Sequence, residues 1–247
     1  MDKDDAGAAA EDPAPNSSPS HRLLREDADR WRHVETSLRT VQQKIALAAA
    51  RARRDPTDVQ LVAVSKGMPI DALRAAVTAG QRTFGENRVQ EALTKIDALN
   101  GRGIEWHLIG HLQRNKAKAA TAFDMIESVD SVRIAAALDS HLDSPQSILL
   151  EVNVASEASK TGLAPEQLPA TMEAIQGMTH LCVEGLMTIA PLVADAEVVR
   201  PVFRRLRELR DTHGLRHLSM GMTNDYTVAI EEGATHVRIG RAIFGER

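Results

Sequence analysis

The sequence predicts a single (β/α)8 barrel of the TIM type with an extra helix before it, and three observations lead there. From residue 61 to the C-terminus, short apolar runs alternate with helical patterns. Eight such runs occur in one unbroken alternation, the rhythm of a parallel barrel. No Gly-x-Gly-x-x-Gly follows the first run, which weakens the main rival, a doubly wound open sheet. The 247 residues suffice for one such barrel. Aromatic residues make up only 3% against 43% hydrophobic overall, so the core must be built from Ala, Val, Leu and Ile.

Taken in order, residues 1–20 are rich in Ala, Asp, Pro and Ser and carry Pro13, Pro15 and Pro19. Such a stretch buries too little to fold and is expected as a disordered tail, leaving 21–247 as the barrel domain. A long helix follows at 27–53. Trp31, Val34, Leu38, Val41, Ile45 and Ala48 recur at spacings of three and four, one apolar stripe, and Asp55-Pro56 stops it. Strands are expected at 61–65, 82–85, 105–110, 125–129, 147–154, 182–189, 217–220 and 236–239. Helices are expected between them at 70–79, 89–99, 113–122, 131–141, 165–177, 195–212 and 224–232. Gly80, Gly177, Gly214 and Gly233 stand where C-terminal caps belong. Asn87, three residues before Gln90, reads as an N-cap with its capping-box partner.

Composition removes several function classes. A net charge of -4 argues against a general nucleic-acid or anionic-membrane binder. The basic run at Arg51, Arg53 and Arg54 reads as a solvated helix end. The single cysteine, Cys182, permits no internal disulfide, which fits a reducing cytoplasm, and its apolar surroundings suggest a small core residue. No Cys/His spacing suits zinc, and the opening residues lack the apolar stretch of a signal peptide. No segment approaches the roughly 18 apolar residues of a membrane span. A cytoplasmic protein is expected, and a monomer, since no long apolar stripe is left over.

Chemistry should lie at the C-terminal ends of the strands. The first strand, Leu61-Val62-Ala63-Val64-Ser65, ends in Lys66. A partly desolvated amine is the better nucleophile toward an aldehyde. A lysine that snorkels into water is the alternative, and the stretch alone leaves both open. Barrels often bind phosphate with the loops after strands seven and eight. Here those loops carry Ser219 and Thr223, then Gly240 and Arg241. Thr223 reads equally as a helix N-cap. Arg238, alternating with Val237 and Ile239, should point into the barrel, where it needs a partner. That partner is either a ligand ring nitrogen or a strand carboxylate such as Glu151 or Glu184. His107 and His111 face one side and read as satisfied barrel histidines. Glu86, Asn87 and Asp225 read as caps and turn residues, and Lys160 as an exposed loop lysine.

These residues also fall into a pattern. The chain resembles the pyridoxal 5'-phosphate (PLP) homeostasis proteins, themselves similar to the barrel of alanine racemase without its C-terminal β-domain. The resemblance rests on Ala63-Val64-Ser65-Lys66, on Phe84-Gly85-Glu86-Asn87-Arg88-Val89-Gln90-Glu91 and on Trp106-His107-Leu108-Ile109-Gly110-His111-Leu112-Gln113. It continues through Glu151-Val152-Asn153-Val154, Ser159-Lys160-Thr161-Gly162, Glu184-Gly185-Leu186-Met187, Ser219-Met220-Gly221-Met222 and Arg238-Ile239-Gly240-Arg241-Ala242-Ile243-Phe244-Gly245. It implies that Lys66 forms the Schiff base with PLP. It implies that Ser219, Thr223, Gly240 and Arg241 hold the phosphate, that Arg238 faces the pyridine nitrogen, and that Asn87 lies near the ring. Gly67 stands where the family usually has a small hydroxyl residue, and Met68 where a basic one is common.

The implied role is to hold PLP reversibly in vitamin B6 homeostasis, and to pass it to apo-enzymes, without substantial catalysis. A weak amino-acid racemase and a Schiff-base aldolase-like barrel without PLP are the other readings. Racemisation needs an acid–base group on each face of the ring. Racemases supply one as a tyrosine with their second domain. That domain is expected to be absent here, and the one tyrosine is Tyr226.

Overall fold

The computed structural model describes residues 30–157 and 160–246. The tail expected at 1–20 and the start of the first helix at 27–29 lie outside the described residues. Eight parallel strands close into a barrel in sequence order: β1 (Gln60–Val64), β2 (Thr83–Glu86), β3 (Glu105–Leu108), β4 (Met125–Val129), β5 (Gln146–Glu151), β6 (Leu181–Met187), β7 (His217–Ser219) and β8 (His236–Ile239). β8 pairs with β1, Leu61 opposite Val237 and Val62 opposite Arg238. The helices are α1 (His33–Arg51), α2 (Ile70–Thr78), α3 (Val89–Ala98), α4 (Ala117–Ala120), α5 (Val132–Asp139), α6 (Leu168–Gln176), α7 (Arg200–Thr212), α8 (Tyr226–Glu231) and α9 (Arg241–Phe244). Among the described residues no helix is long and apolar enough to cross a membrane.

Side chains alternate between the two faces of each strand. The outward set, including Ala63, Phe84, Leu108, Ile126, Ile148, Leu218 and Val237, packs with the helices into one large core. Inside the barrel the apolar filling is small: Met125, Leu149 and Met187, with Ile189 against them. Val62, opposite Arg238, and Ile109 add apolar groups on the inner side, and the polar residues between them carry the site's electrostatics.

The N-terminal helix packs against α2, α8 and α9. Val34, Leu38, Val41, Ile45, Ala48 and Ala49 of α1 are buried on one stripe. Its ends are tied to the last two helices: His33 Nε2 lies 3.4 Å from Phe244 O, and Arg51 pairs with Glu231 at 2.7 Å. Arg54 differs from the solvated end expected there. Its guanidinium donates to Ile230 O at 2.9 Å and Ala234 O at 2.8 Å, filling carbonyls at the end of α8.

Gly177 is the C-cap of α6 at φ -79°, and Gly80, Gly214 and Gly233 take positive φ one residue past the C-caps of α2, α7 and α8. Two local expectations fail. Arg88, not Asn87, is the N-cap of α3, and no side chain caps that end. Cys182 is exposed: it stands second in β6, whose first four residues are not fully buried.

Candidate functional site

A cavity of about 710 Å3 opens at the C-terminal ends of the strands. Lys66, Asn87, Thr223, Arg238, Gly240 and Arg241 all line it. Val64, Met68, Ile109 and Ile189 supply apolar wall. Ser219 does not line it.

Lys66 follows β1 in a turn that is clamped from beneath. Ser65 Oγ donates to Glu86 Oε1 at 2.6 Å, and Ser65 O accepts from Lys95 Nζ at 2.7 Å. Lys95 also holds Glu86 at 2.6 Å and Glu91 at 2.7 Å. Glu91 in turn accepts the Gly67 N–H at 2.5 Å. Gly67 sits at φ +72°, a conformation that costs a residue with a Cβ about 1 kcal/mol, which accounts for glycine there. Burial pushes the Glu86 carboxyl above the usual range although Lys95 and Ser65 oppose it. Burial acts the same way on Glu91, but Lys95 and the Gly67 N–H outweigh it and hold that carboxyl low. The clamp uses Ser65, Gly67 and the β2–α3 segment and leaves the Lys66 amine alone. Among the described residues no group bonds to that half-buried amine.

Asn87 follows β2, and its Oδ1 is buried without a hydrogen-bond partner among the described residues. Its backbone is pressed against Gly110, where a Cβ would stand 2.4 Å from Asn87 O. The side chain is therefore held at the cavity with acceptor capacity to spare, which a capping role would have used.

Arg238 points inward from β8 and is 4% exposed. Its Nη1 donates to Ser219 Oγ at 2.5 Å and its Nη2 to Thr188 O at 2.7 Å. Ser219 Oγ donates onward to Glu127 Oε2 at 2.5 Å, and that oxygen lies 4.0 Å from Arg238. The other Glu127 oxygen is 2.6 Å from His107 Nδ1, and His107 Nε2 is 3.2 Å from Glu105. Gln60 completes the chain, donating to Glu105 at 2.6 Å. Burial opposes charge on His107, but Glu105 and Glu127 overcome it and push the imidazole up to about 9. Burial would raise Glu127, yet His107 and Arg238 bring it to about 2. Ser219 is thus a bridge inside the barrel. The carboxylates expected to pair with Arg238 are engaged elsewhere, Glu151 with Thr161 and Glu184 with Ser147 and Arg216. Sequence reasoning missed Glu127. The available signal was one acid inside the run Met125-Ile126-Glu127-Ser128-Val129.

Across the cavity, the loops after β7 and β8 meet. Arg241 Nη2 donates to Asn224 Oδ1 at 3.3 Å, and Gly221 allows the turn with φ +91°. Asp225 Oδ1 accepts the Met222 N–H at 2.6 Å, which fixes the loop. Asp225, not Thr223, is the N-cap of α8. Among the described residues no acceptor takes the backbone N–H groups of Thr223, Asn224 or Arg241. A cavity with free N–H donors and arginines at one side, an unengaged amine at another and an orphaned amide oxygen between them fits a phosphorylated ring aldehyde.

Residues 36–247 match the alanine racemase N-terminal domain family. A pyridoxal phosphate homeostasis protein of Pseudomonas aeruginosa is 46% identical over 221 residues, spanning 84% of this chain and 96% of that relative. This chain belongs to the pyridoxal phosphate homeostasis protein family. Among solved members of that family's fold, PipY of Synechococcus elongatus with PLP bound superposes at a TM-score of 0.70. It is 39% identical over 83% of this chain and all of its own (100%). Alanine racemase of Corynebacterium glutamicum, 17% identical, shares the barrel at a TM-score of 0.63 over 84% of this chain and 61% of its own.

Proposed function

We propose that this chain holds PLP reversibly on Lys66 and serves intracellular vitamin B6 homeostasis rather than turnover of a substrate. PLP supplies an aldehyde, which a lysine amine takes up as a Schiff base with loss of water and returns on hydrolysis. Lys66 presents an amine with no competing partner. The N–H groups of Thr223, Asn224 and Arg241 supply donors for the phosphate, with Gly240 leaving the approach open. Arg238, pinned by Ser219 and Thr188, offers a cation to the ring nitrogen and so disfavours its protonation, which keeps the ring a poor electron sink. The observation that carries the reading is the convergence of Lys66, Arg238 and both loops on one cavity.

The same cavity speaks against racemisation. Tyr226 is buried in α8 and is not on its wall, so no tyrosine stands across from Lys66 among the described residues. Transfer of the cofactor to apo-enzymes and a monomeric state complete the proposal. The test is an absorbance spectrum of the purified protein, then borohydride reduction and peptide mapping. The expected outcome is a visible band that Lys66→Ala abolishes and a reduced adduct on the Lys66 peptide. A colourless protein that stays colourless with added PLP would refute the proposal.

A further inference from the structure

The barrel interior contains more ionisable groups than holding a phosphate and an aldehyde requires. Glu105, His107, Glu127, His236 and Arg238 are stacked from the floor of the barrel to the cavity, and all but Glu105 are buried. Glu127 is fully buried, with one oxygen on His107 and the other on Ser219. Ser219 is also fully buried, and its hydroxyl accepts from Arg238 while donating to Glu127. An acid buried this deeply is retained only with partners that neutralise it. Here the charges alternate along the chain: carboxylate, imidazole, carboxylate, guanidinium.

We infer that Glu127, ionised against His107, is a positioning residue that fixes Arg238 through Ser219 and offsets part of its charge, so that the cofactor meets an oriented guanidinium whose positive field is reduced but not removed. The inference rests on the PLP reading above. Glu127 does not itself line the cavity and acts only through its neighbours. The groups facing it are His107 from β3, Ser219 from β7, and Arg238 and His236 from β8. His236 lies 5.8 Å from His107 between ring centroids and 4.9 Å from His217, which pairs with Glu184 at 3.4 Å. Burial keeps His236 down to about 4, so it brings no charge to this layer at neutral pH. Removing the Glu127 charge leaves Arg238 with only the more distant carboxylates Glu151 and Asp225 facing it, and so with more of its positive field uncancelled. A nearby cation disfavours protonation of the bound chromophore.

The test is a pH titration of the visible band in reconstituted wild type, Glu127→Gln and Glu127→Asp, repeated in an Arg238→Ala background. Glu127→Gln should move the midpoint of the band's pH response down by about one pH unit, the scale expected for one charge in an interior of intermediate dielectric. Glu127→Asp, which keeps the charge, should stay near wild type. In the Arg238→Ala background the Gln substitution should add little, since its effect passes through the guanidinium. An unchanged midpoint in Glu127→Gln overturns the inference while leaving the PLP reading intact, and so does an equal displacement with and without Arg238. Wild type that forms no band removes the PLP reading and this inference with it. Should Glu127→Gln not fold, nitrogen-15 shifts of labelled histidine in unaltered apo-protein decide: His107 doubly protonated at pH 8 supports the pairing, and a neutral His107 at pH 7 overturns it.

Discussion

Lys95→Met tests the clamp under the Lys66 turn, because it keeps the stem's volume and removes the charge. The Lys95 side chain is 5% exposed and makes three bonds, to Glu86, Glu91 and Ser65 O. Without the ammonium, Glu86 is a fully buried carboxylate facing Glu91 with only the Ser65 hydroxyl left to it. Its cheapest escape is to take a proton. Against an unfolded-state pKa near 4.3, that protonation costs about 3 to 4 kcal/mol at pH 7 and about 1 kcal/mol at pH 5. The pH 7 figure agrees with the roughly 3–5 kcal/mol seen when one partner of a buried pair is removed. For a chain of this size it corresponds to a fall of about 10 °C in melting temperature. The sign follows from linkage. The folded-state pKa of Glu86 in the variant lies above the unfolded one, so the penalty is absent below about pH 4 and grows as pH rises. Urea unfolding of apo-protein at pH 5 and pH 7 reads both numbers, and Glu86→Gln added to Lys95→Met should recover most of the pH 7 loss. Equal destabilisation at the two pH values would refute the reasoning. So would a Lys95→Met midpoint matching wild type at pH 7.

Further outcomes follow from the same physics. With its folded-state pKa raised to about 9, His107 contributes stability that is complete below about pH 6.5 and is lost as pH climbs through 9. Unfolding free energy measured from pH 7 to 9.5 should decline in wild type and stay flat through that window in His107→Gln. His236 runs the other way. Held down to about 4 by burial, it penalises the folded state as pH falls from about 6.5 to 4, so His236→Gln should flatten the acid limb of the same curve. Gly221 and Gly80 both take positive φ, but a Cβ at Gly221 would stand 2.6 Å from Ala229 Cβ while Gly80 faces open space. Gly80→Ala should therefore lose about 1 kcal/mol in chemical unfolding and Gly221→Ala about 2 to 3 kcal/mol, with weakened PLP uptake only in the latter.

The fold was legible because every β-run and every helix but the short α9 carries its own local signal. β4 and β8 lie at the expected residues, and the others shift by one to three at their ends. Lys66 was legible as an anomaly, an amine ending an apolar run. Arg238 was legible as inward-facing from strict alternation on β8. Its partner was not, because Glu127 and Arg238 meet across the barrel although they stand 111 positions apart in sequence, which no local pattern encodes. β4 also carries a register irregularity between Ile126 and Val129, so alternation along it gave no firm facing for Glu127. Asn87 misled for a different reason. Its spacing to Gln90 satisfies the capping rule, yet the helix starts after Arg88 and the amide turns to the cavity instead. Ser219 was placed by loop position at the phosphate, whereas the strand it ends faces its hydroxyl into the charge chain.

What separates a holder from a catalyst on this barrel is the proton inventory around the cofactor. A racemase must deliver and remove protons on both faces of the ring, which takes two groups that exchange protons near neutral pH. On this cavity wall the ionisable side chains are Lys66, Asp225, Arg238, Arg241 and Glu246. The two arginines are donors that stay charged. Asp225 is tied to the Met222 N–H in the loop after β7, where burial raises its carboxyl above the usual range although that N–H opposes it. His107, its imidazole pushed up to about 9, lies 2.6 Å from Glu127 and 3.2 Å from Glu105 in the barrel layer beneath Arg238. Proton-active chemistry is thus present in the molecule but spent on orienting one guanidinium. Among the described residues Lys66 is the one lysine that lines the cavity, which is what the proposed uptake and return of an aldehyde requires.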